Sequence, residues 1–367
     1  MAARPDSADF RAIFLADTPL IDTRAPVEFA EGTFPCAINL PLMSDAEREA
    51  VGTCYHREGQ EAAIRLGHSL VCGAVKEERV AAWLEFVRAH PEGYLYCFRG
   101  GLRSAISQQW LREASVDYPR ITGGYKAMRH FLVETVESAS REASWRVLAG
   151  QTGCGKTELL EQIPASIDLE GMACHRGSSF GKRASGQPPQ ITFENALGIA
   201  ILRARERFVH RPLVVEDESH LIGRCLIPNP LRETMVHSPV VVVEVTLEER
   251  LERTHRSYIL GQLEEWQALL GEEAGFIRFA DDLRQSLANI RNRLGGVRYG
   301  ELQKELEDAL ARHSRGDSDA HKGWIHSLLV DYYDPMYSYQ LSKKEGRVIF
   351  RGSASAVVEF FHHTASG

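Results

Sequence analysis

Residues 145–160, "WRVLAGQTGCGKTELL", decide how the second half of this chain folds. The run "WRVLAG" is short and apolar, which predicts a buried strand, and "TELLEQI" predicts the helix that follows it. Between them, Gly150, Gly155, Lys156 and Thr157 satisfy the spacing G-x-x-x-x-G-K-[ST]. A strand, this loop and a helix in that order predict a parallel α/β domain whose loop binds phosphate groups.

The chemistry of such a loop assigns a role to each of its residues. The backbone amides cradle phosphates, Lys156 reaches across them, and Thr157 binds Mg²⁺ if a metal is present. The apolar strand "LVVEDE" ends in three acidic residues, of which we select Asp217 as the second metal ligand. A solvated strand end is the alternative interpretation of these acids. The predicted phosphate-binding residues are Gly150, Gly153, Gly155, Lys156, Thr157 and Asp217.

The chain beyond this loop continues the same pattern. "PLVVED" and "PVVVVEVT" are continuous apolar runs, which are typical of buried parallel strands. Residues from about 247 to 313 are rich in Glu, Arg and Leu and predict a helical insertion. "GRVIFRGSASAVVEFFHH" predicts a further strand, a turn and a helix. We therefore predict a nucleotide-kinase-like phosphate-binding domain over residues 146–367.

A second α/β domain is predicted over residues 1–137. "TPLIDTRAP" and "GYLYCF" predict strands, and "EERVAAWLEFVRAH" predicts a helix, so the alternation indicates another parallel sheet. "VESASREAS" is polar and small, which predicts a linker and the start of the next strand over residues 138–145. "GQPPQITFEN", further along the chain, predicts an exposed loop.

"YCFRGGLRS", residues 96–104, places a thiol where α/β sheets bind ligands. Cys97 follows a predicted parallel strand and precedes a helix, whose N-terminus favours negative charge, and Arg103 adds a full positive charge. Such surroundings lower a cysteine pKa from about 8.5 and produce a nucleophile that carries a group covalently. A buried cysteine beside a glycine turn is the alternative. The candidate catalytic residues are Cys97, Arg99, Gly100, Gly101 and Arg103.

The composition is that of an ordinary globular protein. The chain has 367 residues, 44% of them hydrophobic and 25% charged, and no run of eighteen apolar residues. The N-terminus lacks the apolar core of a signal peptide. Seven cysteines without a CxxC pair argue against a disulfide framework or a zinc site and predict a reducing, cytoplasmic location without membrane contact. A net charge of −7 means that a nucleic-acid partner would need a local basic surface.

The first half of the chain resembles the rhodanese domain. "LIDTRAPVEFAEGTFPCAINLPL" is similar to the opening of that domain and "ITGGYKAMRHF" to its close. The resemblance implies that Cys97 is the active-site cysteine, which carries a persulfide in sulfurtransferases. It also implies that Asp22 and Arg24 form the usual acidic and basic pair, either as a salt bridge or with a direct role. Five residues separate Cys97 from Arg103, a loop longer than is usual in thiosulfate sulfurtransferases but found in rhodanese-fold phosphatases.

The whole chain resembles the bacterial tRNA 2-selenouridine synthases, which join a rhodanese domain to a P-loop domain. Beyond the two loops, the resemblance rests on the insertion "PLMSDAEREAVGTCYHREGQEAAIRLGHSLV" and on "DLEGMACHRGSSFG", "FENAL" and "YYDPMYSYQ". It implies a tRNA substrate with 2-thiouridine at the wobble position. Geranyl diphosphate first alkylates the sulfur, and selenophosphate then supplies selenium while the S-geranyl group leaves. Cys97 would carry the selenium, and no bound organic cofactor is implied.

The resemblance leaves the ligand of the P-loop open. Our hypothesis is that the loop holds the diphosphate of geranyl diphosphate, and the alternative is a nucleoside triphosphate that gates tRNA binding.

The expected partners are a tRNA anticodon stem-loop and, in addition, an enzyme that supplies selenophosphate. "YYDPMYSYQ" predicts core packing around a turn at Pro335, and stacking of a tyrosine on an anticodon base is the alternative. Contacts to RNA should be basic, and the candidates are Arg176, Lys182, Arg183, Arg203, Arg207, Arg253 and Arg256.

Two other functions stay open at this level. The spacing after Cys97 permits a rhodanese-fold phosphatase or arsenate reductase fused to a small-molecule kinase, although such a phosphatase often has His where this chain has Tyr96. A non-catalytic, nucleotide-regulated RNA-binding protein is the second alternative.

Overall fold

The computed structural model describes residues 4–363, which divide into two compact units. The first unit runs to Val136 and also contains Pro189–Arg203. The second contains Glu137–Pro188 and the chain from Ala204 onward. In the described part of the chain, every helix is too short or too polar to cross a membrane.

Ten strands lie in the described chain: β1 (Leu20–Asp22), β2 (Ala37–Asn39), β3 (Tyr94–Tyr96), β4 (Trp145–Gly150), β5 (Ser166–Ile167), β6 (Leu213–Glu216), β7 (Leu221–Ile222), β8 (Cys225–Leu226), β9 (Val240–Val243) and β10 (Val348–Gly352).

Nineteen α-helices are present between residues 4 and 363: α1 (Phe10–Leu15), α2 (Pro26–Glu31), α3 (Asp45–Glu58), α4 (Gln60–Leu70), α5 (Gly73–Ala89), α6 (Leu102–Glu113), α7 (Gly124–Glu142), α8 (Lys156–Leu160), α9 (Leu169–Met172), α10 (Gln190–Arg207), α11 (Asn229–His237), α12 (Leu247–His255), α13 (Gly261–Leu270), α14 (Glu272–Asn289), α15 (Arg291–Leu294), α16 (Gly296–His313), α17 (Lys322–Leu328), α18 (Asp334–Ser342) and α19 (Ala354–His363). Two π-helical turns, Arg256–Leu260 and Leu329–Tyr333, and two 3₁₀ turns, Ser318–His321 and Glu345–Arg347, connect some of them.

The first unit is built on a parallel three-stranded sheet in the order β2-β1-β3. Ile21 in the central strand pairs with Ile38 on one side and Leu95 on the other. The helices cover both faces with apolar side chains, one group around Phe14 and Phe34 and the other around the two tryptophans of α5 and α6. The predicted parallel α/β arrangement of this half is therefore confirmed.

The predicted loop "GQPPQITFEN" is wrong from residue 190 onward, because α10 begins there. Ile199 and Leu202 pack into the core around Phe14, and the Asn195 amide donates to the carbonyl of Thr33 at 2.9 Å. The prolines before the helix suggested an exposed turn. The apolar side chains that follow instead recur at helical spacing and join the core of the first unit.

The predicted linker is wrong for residues 138–142, whereas the start of the next strand by residue 145 is confirmed. Helix α7 continues to Glu142, and β4 begins at Trp145. Met128, Leu132, Val136 and Ala139 are buried at intervals of three or four residues, which keeps the chain helical despite its small polar residues. The indole of Trp145 donates to the carbonyl of Ala139 at 3.0 Å and fixes the start of the next strand.

The second unit contains a parallel five-stranded sheet in the order β10-β9-β4-β6-β5. All four apolar runs that predicted strands beyond residue 144 are present in it. Strand β4 lies in the middle between β9 and β6, and all but one of its residues are buried. The loop after β4 therefore leaves the centre of the carboxyl edge, where ligands bind in parallel sheets.

The helical part of the second unit is longer than the predicted residues 247–313. It continues through α17 and α18 to Ser342. The predicted turn at Pro335 is wrong, because Pro335 lies in the first turn of α18, directly after the second π-helical turn. Proline is tolerated there, since its missing N–H needs no helical partner.

Candidate active-site loops

Cys97 lies between the last residue of β3 and the first turn of α6, as the sequence predicted. Its side chain is buried, with 3% of its surface exposed. The Sγ atom donates to the Ser104 hydroxyl at 3.2 Å, and that hydroxyl in turn donates to the carbonyl of Gly101 at 3.0 Å. The thiol is thus positioned by the first turn of α6.

The glycines of this loop have different roles. Gly100 has a φ of +63°, and a Cβ there would lie 2.7 Å from the backbone nitrogen of Gly123. The loop packs directly against that second glycine turn, where Tyr125 N donates to the Cys97 carbonyl at 2.9 Å. Gly101 faces open space, and a Cβ at that position would have no neighbouring atom within 4 Å. Close packing therefore requires glycine at position 100 and leaves room at position 101.

Arg103 has a partner that the sequence did not reveal. Its guanidinium donates to both carboxylate oxygens of Glu28, at 2.5 and 3.1 Å, and Arg48 lies 3.3 Å from the same carboxylate. Burial alone would raise the pKa of Glu28, but the hydrogen bonds from Arg103 hold this pKa below its ordinary value. Much of the Arg103 charge is therefore balanced by Glu28. Arg99, by contrast, is exposed.

Asp22 and Arg24 form a buried ion pair at 2.6 Å behind the cysteine strand. Arg24 also donates to the Gly32 carbonyl at 2.7 Å and lies 3.7 Å from the centre of the Tyr125 ring. The Tyr96 hydroxyl donates to Asp22 at 2.8 Å. This network of internal partners supports the structural interpretation of the pair.

All six predicted phosphate-binding residues line one cleft in the second unit, with a volume of about 560 Å³. Lys156 is the first residue of α8, and its Nζ donates to the Gly150 carbonyl at 3.3 Å. Gly153 has a φ of +82°, and a Cβ there would lie 2.5 Å from Thr254 Oγ1. The loop is therefore held against α12 in a conformation that other residues rarely adopt.

Two arginines of α12 support the loop from outside. Arg250 donates to the Thr152 carbonyl at 2.9 Å and forms a buried ion pair with Asp334 of α18. Arg253 donates to the Cys154 carbonyl at 3.3 Å and pairs with Glu158. Arg253, a predicted RNA contact, is thus part of the scaffold of the phosphate loop.

Acidic side chains surround the lysine. Burial would lower the pKa of Lys156, but Cys154, Glu170 and Glu218 together raise that pKa above its ordinary value. Burial, reinforced by Asp168, raises the pKa of Glu216 to about 8. The cleft is thus tuned to keep Lys156 charged, which suits an anionic ligand.

Asp217, the selected metal ligand, accepts from Lys344 Nζ through both carboxylate oxygens, at 2.5 and 2.6 Å. A metal ion held by Thr157 and Asp217 would require Lys344 to release this carboxylate. Among residues 4–363, the structure contains no cluster of three or more His, Cys, Asp or Glu side chains arranged for a metal ion. Lys344 was not among the predicted site residues, because its sequence surroundings resemble any surface loop.

One part of the cleft is lined by aromatic and apolar side chains. We call this the aromatic wall; its members are Tyr258, Tyr332, Tyr333, Met336 and Tyr337. The Tyr337 hydroxyl and Arg176 Nη1 are buried and have no hydrogen-bond partner among the described residues. The predicted core packing is confirmed for Tyr333, which is buried in a core cluster, and for Tyr332, which packs against that cluster. Tyr332, Tyr333 and Tyr337 also line the cleft beside the phosphate loop, whereas Tyr339 is exposed.

The predicted RNA contacts are dispersed. Arg176 and Arg183 line the cleft together with Arg253 and with Arg293, and Arg176 pairs with Glu265 at 3.0 Å. Lys182 is half-buried. Arg203, in the first unit, donates to the Phe14 carbonyl and pairs with Asp17. The candidates with exposed side chains are Arg183, Arg207 and Arg256.

Comparison with known proteins places this architecture in a family. The family model of the tRNA 2-selenouridine synthase AAA domain matches residues 143–366. A tRNA 2-selenouridine synthase of Hahella chejuensis is 60% identical over 98% of this chain and 95% of its own length. Proteins of the same name from Cupriavidus necator (55% identical, 99% of each chain) and Bordetella bronchiseptica (56%, 97% of each) are also similar. The chain therefore belongs to the tRNA 2-selenouridine synthase family.

Proposed function

We propose that this tRNA-modifying enzyme replaces the sulfur of a wobble 2-thiouridine with selenium in two steps, through an S-geranyl intermediate. The shared name of its full-length relatives supports the product and the tRNA substrate. The first step uses geranyl diphosphate at the P-loop cleft. The second uses selenophosphate at Cys97.

The observation that carries the first step is the aromatic wall beside the phosphate loop. A nucleoside triphosphate needs the phosphate cradle and a polar base pocket, whereas geranyl diphosphate needs the same cradle and an apolar surface. The cleft offers Lys156 for the diphosphate and four tyrosines with Met336 for the hydrocarbon. This combination suits the prenyl donor, and because a nucleotide base also stacks on tyrosine rings, the comparison with GTP below distinguishes the two ligands.

The chemistry of the first step is an alkyl transfer. The bond between geranyl C1 and the diphosphate oxygen breaks, and the bond from C1 to the nucleoside sulfur forms. Pyrophosphate leaves with the electron pair, and N3 of the base loses its proton to water. Lys156 and the loop amides offset the charge that develops on the leaving group. Alkylation makes the sulfur a better leaving group, which prepares C2 for substitution.

In the second step, Cys97 is the nucleophile that receives selenium. The Cys97 thiolate attacks selenium, and the P–Se bond breaks with its electrons on phosphorus, which leaves as phosphite. The Cys97-bound selenium then attacks C2, the C2–S bond breaks, and geranyl thiolate leaves. A thiol reductant finally cleaves the S–Se bond and forms a disulfide with Cys97. The selenolate freed at C2 becomes the selenocarbonyl as N3 takes up the proton that the thiol lost. The phosphorus group would bind at the loop between Cys97 and Arg103.

Binding measurements test the assignment of the P-loop cleft. We expect calorimetry to show that geranyl diphosphate binds more tightly than inorganic pyrophosphate and GTP. Lys156→Ala should weaken binding of both diphosphates by about 10- to 100-fold, because a charge-assisted contact is lost. Tyr337→Ala should remove the advantage of geranyl diphosphate over pyrophosphate. Tyr339→Ala is the matched control, because Tyr339 lies on the same helix with 63% of its surface exposed. Tighter binding of GTP would overturn the assignment.

The mass of the protein after incubation with selenophosphate alone tests the role of Cys97. A selenium isotope pattern on the peptide that contains Cys97 is expected, and it should be absent in Cys97→Ser. An adduct of phosphorus without selenium would show instead that Cys97 attacks phosphorus and liberates selenide. That result would contradict the selenium-carrying role and retain Cys97 as a nucleophile.

A further inference from the structure

The first unit contains an apolar cavity of about 610 Å³ that neither proposed step has used. Helices α3 and α4, which form most of the insertion at residues 41–71, enclose it together with α6. Its buried apolar side chains are Leu42, Met43, Ala63, Val71 and Trp110. Its volume is within the range of roughly 300–1,000 Å³ that is typical of small-molecule sites.

The cavity is continuous with the helix that positions Cys97. Leu102, Ile106 and Trp110 lie on one face of α6 and line the cavity. Ser104, in the first turn of the same helix, holds the Cys97 sulfur at 3.2 Å. A group bound in the cavity therefore contacts the same helix, α6, that positions Cys97 for the second step.

The mouth of the cavity is built for a ligand that is apolar at one end. Tyr55 and Leu102 line it with 53% and 48% of their surfaces exposed, so apolar surface is accessible to a ligand there. The charged side chains of the lining are Arg48, Arg103, Glu28 and Glu49, and both arginines pair with Glu28. The formal charges of the lining therefore balance, and its apolar interior is what distinguishes the cavity.

We propose that this cavity binds the geranyl chain of S-geranyl-2-thiouridine in tRNA while selenium is delivered from Cys97. The inference rests on the proposed function and adds a second prenyl site to it, separate from the donor site at the P-loop. The branched hydrocarbon fills the apolar interior, and the nucleoside lies at the mouth beside α6. Burial of the chain holds C2 at the cysteine loop, and the geranyl thiolate departs into the cavity.

The test narrows the cavity without disturbing the fold. Gly52 lies in α3 and lines the cavity, and a Cβ at this position has no atom within 4 Å. Gly52→Ala therefore adds a methyl group without a clash, and Gly52→Leu extends further into the cavity; both substitutions favour the helix. Ala50→Leu is the matched control, because Ala50 is exposed on the same helix and lies outside the cavity.

The substrates are two synthetic anticodon stem-loops, one with S-geranyl-2-thiouridine and one with S-methyl-2-thiouridine. Each is incubated with the full chain and selenophosphate, and 2-selenouridine is measured by mass spectrometry. We expect the wild type to prefer the geranyl substrate by at least tenfold in kcat/KM. Gly52→Leu should lose most of this preference, Gly52→Ala a smaller part, and Ala50→Leu none.

The outcomes separate this inference from the proposed function. If the wild type converts both substrates equally well, or if Gly52→Leu keeps the full preference, the two-step function stands and the cavity is not the geranyl site. If the wild type converts neither substrate, the proposed function fails and the inference falls with it. A uniform loss by Gly52→Leu on both substrates would show general damage to the cysteine loop and would also overturn the inference.

Discussion

The residues that matter most at the two loops are held by partners far away in sequence. Glu28 pairs with Arg103, Lys344 with Asp217, and Tyr96 donates to Asp22. In each case, a charged group is taken out of water and therefore needs a fixed counterpart. These pairs determine which charges near Cys97 and Lys156 are free to meet a ligand.

The buried pair of Asp22 and Arg24 gives a prediction for stability. Arg24→Met should destabilise the first unit by about 3–5 kcal/mol, because Asp22 would stay buried with its counter-charge removed. Hydrogen exchange of the β1 peptide at increasing urea concentration measures the effect. Arg112→Met is the control, since its pair with Asp117 is at the surface and should contribute about 0–1 kcal/mol. Equal losses in both variants would contradict the structural role.

Lys344 gives a prediction for the cleft. Lys344→Met leaves Asp217 without its cation beside Glu170 and Glu218, which adds repulsion toward a diphosphate. We expect about tenfold weaker binding of geranyl diphosphate in metal-free buffer. Magnesium should then restore more affinity in the variant than in the wild type, because the freed carboxylate is able to bind a cation. Calorimetry with and without Mg²⁺ measures both effects, and an unchanged affinity would exclude a role for Lys344 in the cleft.

At the scale of the elements, the long helical segment carries a polar cluster inside an apolar core. The Trp324 indole donates to His321 Nδ1 at 2.9 Å, so the other nitrogen of His321 carries the proton and meets His313 at 3.1 Å. Burial, together with His313 and His255, lowers the pKa of His321 to about 3. Neutral imidazole is therefore part of the packing of α16 and α17.

This cluster predicts acid sensitivity of the helical segment. An unfolded histidine titrates near pH 6.5, so between pH 6.5 and about 3 the unfolded chain binds more protons and stability falls as the pH falls. For His321 alone, the free energy of unfolding at pH 5 is lower than at pH 7 by about 2 kcal/mol. Hydrogen exchange of peptides from α16 and α17 at pH 7 and pH 5, corrected for intrinsic rates, measures it. A pH dependence that is identical in His321→Phe would rule out this histidine as the cause.

The elements also show what the sequence could and could not predict. Strands such as β4 and β9 were predictable, because continuous apolar runs have few alternatives to a buried parallel strand. The sequence did not predict that α7 continues through residues 138–142 or that α10 begins at residue 190. In both places, burial against distant residues outweighed local composition. The position of the glycine-rich loop between β4 and α8 was predictable from its spacing. The sequence did not predict that the aromatic wall and Lys344 lie beside this loop, because only the tertiary fold brings them to it.

At the scale of the whole molecule, the net charge of −7 does not predict the charge of the cleft lining. The cleft is lined by five basic side chains and four acidic ones: Lys156, Arg176, Arg183, Arg253 and Arg293, and Glu158, Glu170, Asp217 and Glu218. Its charge is nearly balanced, and specific placement rather than a broad basic field favours an anion. The tRNA is therefore expected to rely on exposed arginines outside the cleft, such as Arg207 and Arg256.

The central claim divides the reaction between two loops, one in each compact unit. The most direct test is mass spectrometry of a 2-thiouridine anticodon stem-loop incubated with geranyl diphosphate and then with selenophosphate. The wild type should first add a geranyl mass and then exchange the S-geranyl group for selenium. Cys97→Ser should stop after the first step, and Lys156→Ala should fail at the first step but convert a stem-loop that is already geranylated. An RNA mass that never changes with the wild type, or geranylation that persists in Lys156→Ala and stops in Cys97→Ser, would contradict this division.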